Sequence, residues 1–288
     1  MGKRSRLRNR EAAAQGPAPM PYVARPFEGL AGEGDWVALR HFVPAATAAL
    51  TLAGDRDRGV IACSLLPAAA AALVRSTGDI WLGLQVQHAF GDASRELAYA
   101  LEQALVAEPG SSVTVGSDPG PGPRLQDLLD TDAALDVQVH DGFDYWAADV
   151  DDPNGEIAAS LEGANDAAWP TRRLSAVESA YWTRMGQREY LRWVMPHDED
   201  DVLNALARLH AADADRLVDG SRLIGSFRAH GLVVPVWELP TGTGGEALEE
   251  PAERLLARLD EARAVREPLT AAERSARNGL TSRQLTIN

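Results

Sequence analysis

Apolar residues recur along this chain with two periods. In "DIWLGLQVQ" (79–87) Ile80, Leu82, Leu84 and Val86 take alternate positions, the period of a half-buried strand. In "GDASRELAYALEQALVAEPG" (91–110) Leu97, Leu101 and Leu105 recur at helical spacing. Asp92 stands at the N-cap there and Gly110 beyond the end. The same reasoning predicts a short helix over 33–42 with Trp36 and Leu39 inward, and one over 67–75 opened by Pro67. Further helices are predicted at "RLQDLLD" (124–130), 154–167, 176–186 and 198–213, with two polar helices near 245–266 and 270–279. Strands are predicted at 46–52, 59–66, 135–140, 168–174 and 188–195, and a hairpin over 222–239 turning near His230-Gly231.

These elements give an α+β protein: two similar strand-helix-strand-helix sub-units, a helical C-terminal extension and a disordered basic N-terminal tail. The expected boundaries are a basic, Pro/Ala-rich tail at 1–31, a first sub-unit at 32–115 and a Gly/Pro linker at 116–122. A second sub-unit then covers 123–240 and the extension 241–288. The halves resemble each other, with Trp81 and Tyr190 at matching places in their strands and Asp92 and Asp198 at matching helix starts. That pattern suggests an internal duplication.

Composition removes several kinds of chemistry. Lys3 is the only lysine, so no P-loop lysine exists to reach nucleotide triphosphate phosphates. Enzymes that need an interior lysine for a Schiff base or for protein-kinase chemistry are excluded on the same ground. Cys63 is the only cysteine, which rules out an intrachain disulfide and a zinc site built on cysteine pairs. No apolar run approaches the ~20 residues of a membrane span, and "MGKRSRLRNR" leads into no apolar segment of the secretory kind. The expected location is the cytoplasm, with no membrane partner and no cofactor.

Charge is partitioned unevenly. Lys3, Arg4, Arg6, Arg8 and Arg10 put +5 on the first ten residues. The formal net charge is −14, so the remainder carries −19. A body that acidic repels phosphate polymers, and any contact with RNA or the ribosome is assigned to those five cations.

The densest group of polar residues is "HDEDD" (197–201). An Asp followed by further carboxylates before an amphipathic stretch is how a helix begins. Asp198 accepts from first-turn N–H groups while Glu199, Asp200 and Asp201 oppose the positive end of the helix dipole. The competing reading is a metal-dependent hydrolase that gathers His140, Asp141 and Asp144 of "HDGFDYW" with His197. "TGTGG" (241–245) reads as a linker, since it is not a strand-to-helix G-x-G-x-x-G.

Stretches including "DWVALRHFVPAATAAL", "VHDGFDYW", "LRWVMPHDEDDVLNALARLHAA", "GSFRAHGLVVPVWELP" and "RNGLTSRQLTIN" together resemble a family of uncharacterised actinobacterial proteins grouped as a domain of unknown function. The resemblance covers nearly the whole chain and implies no activity and no catalytic residues. The function expected from the sequence is therefore a non-enzymatic binding or adaptor protein. The hydrolase is the alternative, and the question of enzymatic activity stays open.

Overall fold

The structure, a computed structural model, describes residues 19–54, 58–87, 89–147 and 156–282. Two sheets organise it. The first contains β1 (Ala46–Leu50), β2 (Val60–Cys63), β3 (Ala72–Val74), β4 (Ile80–Gly83), β5 (Ser112–Val113) and β6 (Val137–Val139), in the order β5-β3-β4-β2-β1-β6. Its neighbours are antiparallel except β2 and β4, which run parallel. Alternation separates its faces. Val60, Ala62, Ile80 and Leu82 face helix α2 (Ala93–Val106), which contributes Leu97 and Leu101. Cys63 and Trp81 face the other way, under Tyr145 and Trp146 of a 3-10 turn at Asp144–Ala147. Helix α1 (Glu33–His41) opens the described fold, α3 (Leu125–Leu128) precedes β6, and α4 (Glu156–Ala167) follows the 3-10 turn.

The second sheet is antiparallel throughout: β7 (Thr171–Arg173), β8 (Ala180–Met185), β9 (Arg188–Trp193), β10 (Arg222–Ala229) and β11 (Leu232–Leu239), in the order β10-β11-β9-β8-β7. Both of its faces are covered. Trp193, Val233 and Trp237 pack against α5 (Glu199–Ala211), α6 (Glu249–Ala264) and α7 (Ala271–Ser282). Tyr181, Val194, Phe227, Val234 and Val236 join Trp36 and Leu39 of α1 in the core that also holds the first sheet. Burial on both faces explains the near-continuous apolar run of β11.

The joint between the sheets is polar at one point. Asp35 on α1, 2% exposed, accepts from the Tyr181 hydroxyl at 2.6 Å and from both arms of Arg173 at 3.1 and 2.9 Å. Burial, with Asp35 alongside, pushes the Tyr181 phenol well above its usual value, so it remains a donor.

The α+β class holds, with C-terminal helices as expected, and five details depart from the sequence reading. Residues 67–75 are not one helix: a 3-10 turn at Pro67–Ala69 gives way to β3, because Ala72 and Val74 pair with Leu82 and Ile80. Residues 176–186 hold β8 where a helix was expected. Tyr181 and Thr183 are buried on one face, and pairing with β9 overrides the helix-forming Ala and Glu. Residues 123–140, assigned to the second sub-unit, supply α3 and β6 to the first, since β6 pairs with β1. Of the 1–31 tail, residues 1–18 lie outside the described residues, while 19–31 are built into the fold. Phe27 is fully buried and stacks on Trp36 at 5.8 Å, Arg25 pairs with Glu33, and Val23 N–H donates to Gly91. Residues 116–122 are likewise held: Arg95, 6% exposed, donates to the carbonyls of Gly120 and Pro123, and a Cβ at Gly122 would run into its guanidinium.

Among the described residues no helix is long and apolar enough to cross a membrane.

Candidate functional site

His140, Asp141 and Asp144 lie together at the end of β6, in a turn that clasps the outer face of the first sheet. His140 Nε2 is 2.8 Å from Thr47 Oγ1, and its ring packs 5.0 Å from Tyr145. Asp144 accepts from Asn165 of α4 at 3.0 Å, and Asn165 Oδ1 in turn accepts from Phe143 N–H at 2.6 Å. Tyr145 and Trp146 both donate to the Leu65 carbonyl at 3.0 Å. Burial lowers the His140 pKa despite the opposing charge of Asp141. "HDGFDYW" thus places four aromatic rings and a hydrogen-bonded carboxylate against the sheet.

His197 belongs to a different region, before α5 on the second sheet's helical side. Its Nε2 is 3.0 Å from Arg263 Nη1 of α6, and burial followed by that arginine lowers its pKa. Three of the four carboxylates after it, those of Asp198, Glu199 and Asp200, are engaged. Asp198 accepts from Asp200 N–H at 2.9 Å and Asp201 N–H at 3.2 Å, which makes it the N-cap. Glu199 pairs with Arg228, whose hydrogen bonds hold its carboxyl below the usual range, and Asp200 pairs with Arg277. Among the described residues no group of three or more His, Cys, Asp or Glu side chains is placed to hold a metal ion. Lys3, Arg4, Arg6, Arg8 and Arg10 lie outside the described residues.

"TGTGG" is a clasp for a carboxylate rather than a loose linker. Glu189, 3% exposed, accepts from Gly242 N–H at 2.6 Å, Gly244 N–H at 2.8 Å and Trp182 Nε1–H at 2.9 Å. Burial alone would raise its pKa, but these donors outweigh it and hold the carboxyl below the usual value. The glycine loop cradles an anion, and the anion is the protein's own.

Two arrangements escaped the sequence reading. At the end of α5, His210 Nδ1 lies 2.7 Å from Asp215 Oδ2, beside a groove of about 330 Å³ lined by Ala272, Ser275 and Ala276 of α7. Asp215 is buried and its carbonyl also accepts from Trp237 Nε1–H at 2.7 Å, so the pair locks the helix exit onto the sheet.

The second arrangement is cationic. Arg192 on β9 points, like Tyr190 and Val194, toward the core shared with α1, and is 9% exposed. Its guanidinium lies 5.4 Å from the Phe42 ring centroid, and Nη2 is 2.9 Å from Met185 Sδ. His41, the last residue of α1, stacks at 5.5 Å on Phe227 and meets His230 edge-on at 6.2 Å. Partial burial, then Arg192 and Arg40, lower the His41 pKa. Burial, then Arg40 and His41, lower that of His230 to about 3. The cluster is built by tertiary contact alone, bringing residues 41, 192 and 230 together. Its one sequence signal is an arginine at an inward position of the alternation Tyr190, Arg192, Val194.

Compared with known protein families, residues 26–288 match the model of a family described as a family of unknown function (DUF5926). Neither the curated proteins nor the solved structures give a match.

Proposed function

The chain belongs to the DUF5926 family, a family of unknown function, and from its own charges we propose that it is a binding or adaptor protein whose basic N-terminal segment engages an anionic polymer, RNA or the ribosome. The observation that carries this reading is the charge partition: +5 on residues 1–10 against −19 on the rest. Lys3 and the four arginines supply what phosphate binding needs, and the acidic body confines such contact to that segment. Support for binding over catalysis also comes from how the reactive-looking residues are used. His140 is bonded to Thr47, Asp144 to Asn165 and His197 to Arg263. The alternative, a metal-dependent hydrolase, would need the His140–Asp141–Asp144 turn and His197 to converge on one ion.

The test is co-sedimentation of the full chain, and of a chain lacking residues 2–10, with ribosomes and with RNA over a salt series. The full chain is expected to bind at ~50 mM salt with a log–log slope of about −0.7 to −0.9 per phosphate contacted. The deletion is expected to abolish binding and to leave thermal stability unchanged. Equal binding by both chains, or no binding by the full chain at that salt, overturns the reading.

A further inference from the structure

We propose that α7 is a releasable latch: it leaves α5 by a local opening, with the rest of the fold intact, and so uncovers an apolar seat on the second sheet's helical side. The inference concerns the C-terminal end of the described fold and does not rest on the nucleic-acid reading.

Two neighbouring helices are held very differently. α6 buries Pro251, Ala252, Leu255, Leu259 and Ala262 along its length. Among the described side chains of α7, Leu280 alone is buried. It joins the core that also holds Leu206 of α5 and Leu223 of β10. The polar ties of α7 to α5 are ion pairs in partial contact with water. Glu273 meets Arg208 at 3.4 Å, and Arg277 meets Asp200. Glu273, Arg277 and Leu280 stand at i, i+4 and i+7, so one narrow stripe of the helix carries these ties.

The rest of the seam is loose. Ala272, Ser275, Ala276 and Gly279 line, with His210 and Ala211 of α5, the groove of about 330 Å³. Small residues there leave the two helices incompletely packed. Arg208, which Glu273 meets, has its Nε buried with no partner among the described residues. An unpaired buried donor counts against docking.

The magnitudes favour release. One buried leucine and two ion pairs open in part to solvent are a small fraction of what holds a domain of this size together. The helix therefore opens far more often than the whole fold unfolds. Its start is secured by its own residues. Thr270 N–H donates to Glu273 Oε2 at 2.6 Å and Glu273 N–H to Thr270 Oγ1 at 3.3 Å, a capping box that needs nothing from the body. Residues 264–268, which join α6 to α7, are exposed and supply the hinge. Release bares the seat of Leu280, flanked by Arg208 and Asp200. An amphipathic helix with an acid, a base and an apolar residue at the spacing of Glu273, Arg277 and Leu280 would fit that face.

The test is amide hydrogen exchange of the full-length protein, read by mass spectrometry. A free helix of 12 residues is marginal in water, so its amides exchange while it is released. After correction for intrinsic rates, α7 is expected to be protected, yet to exchange at least ~100-fold faster than α5 and α6. Leu280→Ala should speed exchange in α7 by at least about tenfold, through loss of a buried leucine, and leave α6 and the first sheet unchanged. Glu273→Gln keeps a capping box and loses the ion pair. It should speed α7 by about two- to fivefold, and ~1 M NaCl should act in the same direction. This variant serves where Leu280→Ala does not fold. Exchange of α7 at the rate of α5 and α6 overturns the proposal, since the helix would then open only with the whole fold. So does a complete lack of protection in α7, which would mean that no latch closes. Equal acceleration of α6 and the first sheet in Leu280→Ala, or unchanged α7 exchange in the folded variants, overturns it as well.

Discussion

The segments β3–β4–α2 and β8–β9–α5 are built alike: an antiparallel hairpin, a loop, and a helix capped by an aspartate. Asp92 and Asp198 perform the same local task, each accepting from two first-turn N–H groups. Their settings differ. Asp92 is 3% exposed and also binds Arg124 at 2.7 Å, while Asp198 is exposed to solvent. The sheets around the two hairpins differ too. β4 continues to a parallel neighbour, β2, whereas β9 continues to an antiparallel one, β11. The same cap is thus part of a buried electrostatic network in one half and a surface feature in the other, and context decides its energetic weight.

The comparison breaks most completely where the halves join. Asp35→Ala would leave Arg173 and the buried Tyr181 hydroxyl without their shared acceptor. A loss of about 3–5 kcal/mol is expected in urea denaturation, the scale for breaking a buried charged pair. Asp92→Ala removes a cap and strands Arg124, and about 2–3 kcal/mol is expected by the same measurement. The largest acid effect of a single histidine is expected from the second sheet's hairpin turn, at His230. Its pKa is depressed in the folded protein to about 3, chiefly by burial, with Arg40 and His41 as the facing cations. The unfolded chain therefore binds the extra proton between about pH 6.5 and pH 3. The stability associated with neutral His230 is fully present above pH 6.5 and is lost as pH falls through that window. His230→Asn keeps a residue suited to the positive φ of 47° in this turn. It should flatten the acid limb of the stability–pH curve by on the order of 1–2 kcal/mol near pH 4. Asp198→Ala should cost least, about 0.5–1 kcal/mol. Equal losses for Asp92→Ala and Asp198→Ala would show that burial adds nothing to the cap.

The sequence carried both caps legibly, because an aspartate before an apolar stripe needs only local information. The hairpin at 222–239 was legible for the same reason, with His230 and Gly231 both at positive φ in its turn. The strands β3 and β8 were hidden, since alanine-rich and glutamate-containing stretches suit helices until a neighbouring strand claims them. Residues 19–31 looked like a tail because Phe27 finds Trp36 and His230 only through the tertiary fold. The cluster of Arg192, Phe42 and His41 was the least legible feature. Arg192 lies in a stretch rightly read as a strand, but nothing local shows that Phe42 and His41 cover the face it points to.

The strap formed by residues 19–31 also has a consequence in time. It leaves a ribosome well before several of the segments it binds, whose contacts come from far downstream. Val23 bonds to Gly91, Gln126 donates to the carbonyls of Pro26 and Glu28, and Ala24 lies so close to Gly231 that a Cβ there would strike its carbonyl. Phe27 packs on His230 at 5.5 Å. The strap cannot complete its contacts until the final hairpin of the second sheet has been synthesised, so it waits on residues some two hundred positions later. Loops spanning some two hundred residues must close for this to happen, which is the slow kind of step in folding. Until then Phe27 has Trp36 to stack on but lacks His230, and part of an apolar residue stays uncovered after the basic segment.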